Sequence, residues 1–294
     1  MSIKSFISQK AEIINEALDN YLPSSDLKPT KLHQAMRYSV LAGGKRLRPI
    51  LTLVAADLVG DVSEKDILPA ACALELVHNY SLIHDDLPSM DDDDVRRGQP
   101  SNHKKFTPAL AILAGDALLT LAFELISEIE DIEAGKINSL TKELAQGSGH
   151  QGMVGGQVVD IESEGKEIDS QELDYIHRHK TGALLKTSVR LGALMGSATE
   201  KQLTALTTYA EKIGLAFQIV DDILDVEGSA EKLGKAVGSD LNKDKATFPA
   251  IYGLDESKEL ATQTVQEAKD ALSIFGDEAN LLKELANYII QRDY

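Results

Sequence analysis

The feature that most restricts this chain's fold is a period. Apolar residues recur at three- and four-residue spacing almost throughout, as in Ile7, Ala11, Ile14 and Leu18 and again in Leu203, Leu206, Tyr209, Ala210 and Ile213. That spacing gathers apolar side chains on one face of an α-helix, whereas the two-residue alternation of a strand is nearly absent. The expected fold class is therefore all-α. Helix punctuation agrees: Asp26 to Pro29 precede a helix through Leu41, Gly43-Gly44 follow it, Pro49 opens the next and Gly60 closes that. Further helices are predicted over 64–87, 107–130, 134–162, 170–197, 200–227, 249–275 and 277–291. The stretch from Ala109 to Leu125 is apolar on more than one face, which predicts a central helix wrapped by others in a large bundle. No linker or internal repeat divides the sequence, so residues 1–294 read as a single domain.

Charge excludes some functions. With 47 Asp plus Glu against 30 Lys plus Arg, the net charge of −17 opposes nucleic acid or an anionic bilayer as a partner. No run of 18 uninterrupted apolar residues occurs, and Met1-Ser2-Ile3-Lys4-Ser5-Phe6 lacks an apolar signal region. A cytoplasmic protein without stable membrane insertion is expected. The lone Cys72, in the run Ala70-Ala71-Cys72-Ala73-Leu74, reads as a buried structural thiol.

Most acidic residues suit a solvated surface, but two clusters do not. Asp85-Asp86-Leu87-Pro88-Ser89-Met90-Asp91 places Asp85 and Asp86 on the last turn of a helix that Pro88 must end. A helix C-terminus already carries partial negative charge, so carboxylates there cost stability unless a cation binds. In Asp221-Asp222-Ile223-Leu224-Asp225, Asp221 and Asp225 share a helix face within an apolar segment, with Gln218 on the same face. Hard divalent cations take oxygen ligands, and magnesium typically uses one or two carboxylates plus substrate phosphates and water. Neither cluster follows the spacing of an EF-hand.

Bases surround these clusters. Gly43-Gly44-Lys45-Arg46-Leu47-Arg48-Pro49 sets three at a glycine turn before a helix start, a suitable cradle for a diphosphate. Arg96-Arg97-Gly98 follows the first cluster. Lys180-Thr181 falls in the polar interruption His177 to Gly182, and Lys235 and Lys245 follow the second cluster. Taken together they imply two diphosphates.

The ordered series Gly-Gly-Lys-Arg-Leu-Arg-Pro, the first aspartate cluster with Arg-Arg-Gly, Gly-Gly-Gln-x-x-Asp at 155–160, Lys-Thr at 180–181, Gln-x-x-Asp-Asp-x-x-Asp at 218–225 and Lys-x-Thr-x-Pro at 245–249 resembles the bacterial-type farnesyl diphosphate synthases of the trans-isoprenyl diphosphate synthase family. The resemblance implies one isoprenoid-synthase bundle with a central active-site cavity. It also implies head-to-tail condensation of isopentenyl diphosphate with dimethylallyl and geranyl diphosphates, and usually a homodimer. On this resemblance Asp85, Asp91 and Asp221 ligate magnesium, supported by Asp86, Asp222 and Asp225, with about three ions per diphosphate-bound site. Arg96, Lys180, Thr181, Gln218, Lys235 and Lys245 would surround the allylic diphosphate. Lys45, Arg48, His78 and Arg97 would hold isopentenyl diphosphate.

Read without the resemblance, His78 is a core histidine, and Gly152, Gly155 and Gly156 permit close helix packing. Tyr80, so read, is a plain core aromatic. On the resemblance, a prenyl tail growing from the metal site would run down the helix bearing Asp85, so that Tyr80 and Ser81 floor its cavity. In the resembled family an aromatic at Tyr80's position accompanies fifteen-carbon products and smaller residues accompany twenty-carbon ones. A terpene cyclase would need one diphosphate site rather than two, and a non-catalytic synthase subunit would show erosion of one motif. Neither departure is seen.

Overall fold

The computed structural model describes residues 2–130, 132–166, 168–227 and 247–291. These residues are overwhelmingly helical, and the chain divides into two compact units, Met1–Leu53 with Val62–Thr141 and Val54–Asp61 with Lys142–Tyr294.

The first unit holds α1 (Ile3–Tyr21), α2 (Thr30–Val40), the first half of α3 (Leu47–Val59), α4 (Glu64–Asp85), a short α5 (Asn102–Lys105) and α6 (Pro108–Ser127); α1, α2 and above all α6 pack on α4, and α5 packs on α2 and α6. Capping fixes where these helices begin. Ser63 accepts from the amide of Asp66 at the start of α4, and Thr107 accepts from that of Leu110 before Pro108 opens α6. Helix α4 is the buried one, enclosing Ile67, Leu74, Leu76, Val77 and Ile83 together with the polar Glu75 and Asn79. The burial of Cys72 in the same helix is complete, and it pushes the thiol pKa far up.

Helix α6 corrects the expectation of a central position. Its Ala111, Ala114, Gly115 and Leu118 side is buried in a unit where α6 packs chiefly on α4, but Ile112 and Leu113 are 44% and 55% exposed. By length and composition α6 could span a bilayer, a test that a core helix also passes.

A feature absent from the sequence reading is the hairpin pairing Val95–Arg96 with Gln99–Pro100. Its central residues, Arg97 and Gly98, have φ of 53° and 73°, the conformation of a type I′ turn.

The second unit is built on α11 (Glu200–Glu227), which packs against α10 (Gly182–Met195) and α13 (Leu254–Ala271). The fully buried Tyr209 donates to the Leu282 carbonyl at 2.8 Å, tying α11 to the C-terminal α14 (Asn280–Ile290). The predicted helix over 134–162 is two helices, α7 (Ala134–Ser148) and α8 (Met153–Ser163). A Cβ on Gly152 would lie 2.2 Å from the Gly147 carbonyl, an approach that only glycine permits. The predicted helix over 170–197 is also interrupted, as α9 (Ser170–Ile176) passes through a π-helical turn, His177–Thr181, into α10. Likewise 249–275 contains α12 (Phe248–Tyr252) and then α13, separated at Gly253 with φ 84°.

Candidate functional site

The glycine turn of the first unit depends on left-handed backbone, with φ of 91° at Gly43, 132° at Gly44 and 50° at Arg46. Its three bases then part company. Arg46 turns inward, donating to Glu75 at 2.7 Å, to Asn15 Oδ1 at 2.8 Å and to the Val40 carbonyl at 2.5 Å. Lys45 stays exposed, and Arg48 Nη1 stands 3.3 Å from His78 Nε2. From the hairpin, Arg97 lies against the turn, its Cζ 3.2 Å from where a Gly44 Cβ would stand. Burial, and after it the charges of Arg48, Arg97, Arg46 and Arg96, holds the His78 pKa well below the ordinary histidine range. The imidazole is therefore neutral at pH 7, so Nε2 can accept from Arg48. Burial likewise lowers the Arg97 pKa, against the attraction of Glu75. Guanidiniums gathered around a neutral ring can hold an anion, which would relieve their mutual repulsion and suit their forked donors.

The first aspartate motif follows on α4. Asp85 ends the helix, and the Asp91 amide donates to the Asp85 carbonyl at 2.9 Å, folding the loop back on the helix end. Asp86 is buried and bound by Arg96, whose Nε reaches Oδ1 at 3.0 Å and Oδ2 at 3.3 Å. Burial raises the Asp86 carboxyl pKa in spite of that bond. Among the described residues, the ligand atoms within 4.8 Å of one another are those of Asp92, Asp94 and His103, not those of Asp85, Asp86 and Asp91. Asp94 is already paired with Lys104 at 2.7 Å, and Asp86 is committed to Arg96. One turn and more before Asp85, Tyr80 is 8% exposed and the Ser81 hydroxyl donates to the His78 carbonyl at 2.8 Å.

The second motif lies near the end of α11. Asp225 is buried, and Asp221 is half-buried with Gln218 Nε2 at 3.5 Å. Asp222 is buried and accepts the Phe248 amide at 2.9 Å, with His177 Nε2 at 3.5 Å. Lys180 and Thr181 fall in the π-helical turn, where Lys180 Nζ reaches Asp160 at 2.6 Å. Gly156 makes this contact close: a Cβ there would sit 2.1 Å from the Lys180 backbone nitrogen. The packing role expected of these glycines is realised at that point. Lys235 and Lys245 lie outside the described residues. Both aspartate motifs offer oxygen donors and no sulfur, a set that fits magnesium.

Residues 29–286 match the polyprenyl synthetase family pattern, and that span exceeds four-fifths of the sequence. The chain belongs to the polyprenyl synthetase family. It is thus a trans-prenyltransferase, of a family that is magnesium-dependent in general. It is 48% identical to a heterodimeric geranylgeranyl pyrophosphate synthase large subunit of Arabidopsis thaliana, over 98% of this chain and 79% of that one. It is 47% identical to the farnesyl diphosphate synthase of Geobacillus stearothermophilus, over 100% and 99%. The solved apo structure of a Zymomonas mobilis FPP/GFPP synthase superposes with a TM-score of 0.87 at 38% identity, covering 98% of both chains. The all-helical bundle expected from the sequence is the fold of these isoprenyl synthases.

Sequence reasoning missed several residues that shape this polyprenyl synthetase. Glu75 and Asn15, which bind Arg46, look like ordinary helical polar residues. His177 is buried and stacks on Phe248, ring centroids 5.3 Å apart. Nothing in its sequence context distinguishes it from exposed histidines.

Proposed function

We propose that this polyprenyl synthetase condenses isopentenyl diphosphate with dimethylallyl and then geranyl diphosphate to give farnesyl diphosphate. The observation that carries the reading is that Arg48 meets a neutral His78 while Arg97, whose charge His78 also feels, lies against Gly44, in the unit that also bears Asp85 and Asp91. A diphosphate cradle beside an aspartate motif suits the substrate that keeps its diphosphate. The Gln218 to Asp225 motif, with Lys180 and Thr181, suits the allylic substrate that loses one.

Asp85, Asp91 and Asp221 would hold magnesium, with Asp86, Asp222 and Asp225 orienting neighbouring groups. Bound magnesium supplies Lewis-acid neutralisation as the allylic carbon–oxygen bond ionises, a contribution of several kcal/mol. Lys180, Gln218 and Arg96, joined by Lys235 and Lys245, balance charge on the departing diphosphate. Lys45, Arg48, neutral His78 and Arg97 orient isopentenyl diphosphate so that its double bond attacks the allylic carbon, and the departed diphosphate takes the proton. Incubation with dimethylallyl and isopentenyl diphosphates plus magnesium, followed by chromatography, should give a fifteen-carbon main product. No prenyl product at all would refute the reading, and a mainly twenty-carbon product would refute its farnesyl part.

Product length rests on Tyr80, a nearly buried aromatic on α4. Relatives named for farnesyl and for geranylgeranyl products stand at similar identity, so overall likeness does not set product length. Replacing it opens the floor, and Tyr80→Ala should make geranylgeranyl diphosphate the main product. An unchanged distribution would remove Tyr80 from that role.

We further infer a homodimer through the exposed face of α6, where Ile112 and Leu113 stand together. Light scattering at micromolar concentration should give twice the 31.9 kDa chain mass. A monomer mass would refute it.

A further inference from the structure

We propose that His84 is a positioning residue for product length: wedged into a notch in α6, it braces the Tyr80 ring. The inference rests on the reading of Tyr80 as the floor of the tail cavity.

Tyr80 and His84 are one turn apart on α4 and therefore share a face. Their rings meet edge to face, with centroids 5.3 Å apart and an interplanar angle of 89°. On the α6 side, His84 Nε2 lies 3.0 Å from the Ile112 carbonyl oxygen. A carbonyl oxygen can only accept, so this contact requires the hydrogen on Nε2. The notch exists because residue 115 is glycine. A Cβ there would stand 2.2 Å from His84 Nε2 and 2.5 Å from Cδ2, inside the ring's own volume. The imidazole thus takes the place of a side chain on α6. Held by the α6 backbone on one side, it faces the Tyr80 ring edge-on at the other.

This arrangement bears on specificity. A tyrosine stops chain growth only if its ring stays in place when a prenyl tail presses on it, and alone it could turn to another χ1 well. His84, in edge-to-face contact with the ring, then opposes that turn. The stop is then a three-part device, namely the Tyr80 ring, the His84 brace and the missing Gly115 side chain.

The test measures the ratio of twenty- to fifteen-carbon products at matched conversion, a quantity that simple loss of stability does not move. With Tyr80 intact, His84→Ala should raise that ratio at least several-fold. Gly115→Ala, which fills the notch, should also change the ratio in the wild-type background yet change nothing further once His84 is alanine, since the two share one contact. Where His84→Ala folds poorly, His84→Gln keeps a donor for the Ile112 carbonyl and removes the ring, with the same outcome expected. If Tyr80→Ala lengthens the products while the His84 variant leaves them unchanged, the brace is refuted and the floor stands. If neither lengthens them, the reading of Tyr80 fails and takes the brace with it.

Discussion

Asp85→Ala and Asp221→Ala should each lower turnover by about 10²–10³-fold, the scale on which removal of one preorganised charge-stabilising group acts. Both proteins should keep their helical circular dichroism and melt close to the wild type. The asymmetry follows from position. Asp85 sits on the last turn of α4, where the helix dipole disfavours an anion by about 0.3–1 kcal/mol. Asp221 stands one turn from the buried Asp225 and repels it. Neither carboxylate is where stability alone would put it, so its loss should leave the metal-free fold unharmed. Steady-state assays with magnesium, run beside thermal melts, separate the two effects. Near-normal product formation by both variants would overturn the metal assignment, and a collapsed melt would show that they are structural.

Glu75→Ala should do the reverse and strike the fold first. Its carboxylate and the Arg46 guanidinium form an ion pair at 2.7 Å with side chains 3% and 0% exposed. Asn79 Nδ2 also reaches Glu75, at 2.8 Å from its carbonyl and 3.3 Å from Oε1. Removing one partner of a buried pair strands the other charge, which costs about 3–5 kcal/mol. Replacing both is different: Arg46→Met combined with Glu75→Leu leaves no stranded charge and should recover most of the loss. Urea denaturation of the three variants reads the comparison directly. A Glu75→Ala protein within about 1 kcal/mol of the wild type would mean that the pair is not holding the glycine turn.

These two sites also mark how far the sequence could be read. The helical period and its glycine and proline stops placed most helices, because they depend on near neighbours. Which of Lys45, Arg46 and Arg48 faces inward depends on Glu75, 29 residues from Arg46, and three adjacent bases look alike without it. The same limit applies to Asp222, whose carboxylate serves the amide of Phe248. The apolar run of α6 was legible, but its hydrophobicity all round did not say whether this chain or another molecule covers the outer face. The break between α7 and α8 escaped because close backbone approach at Gly152 leaves no periodic trace. Backbone strain was equally invisible. Of the four described non-glycine residues with positive φ, Arg46, Asp92 and Arg97 belong to the glycine turn, the aspartate loop and the hairpin of the first unit. Such conformations gather where surrounding structure enforces a functional geometry.

Cys72 has a practical consequence. It is the sole thiol in the sequence, shielded in α4 and held protonated by its surroundings. A thiol-specific reagent can reach it only when the core of the first unit opens, because the thiolate is the reactive species. Labelling kinetics at this sulfur therefore clock the opening of α4, with no engineered probe and no second cysteine to confuse the signal.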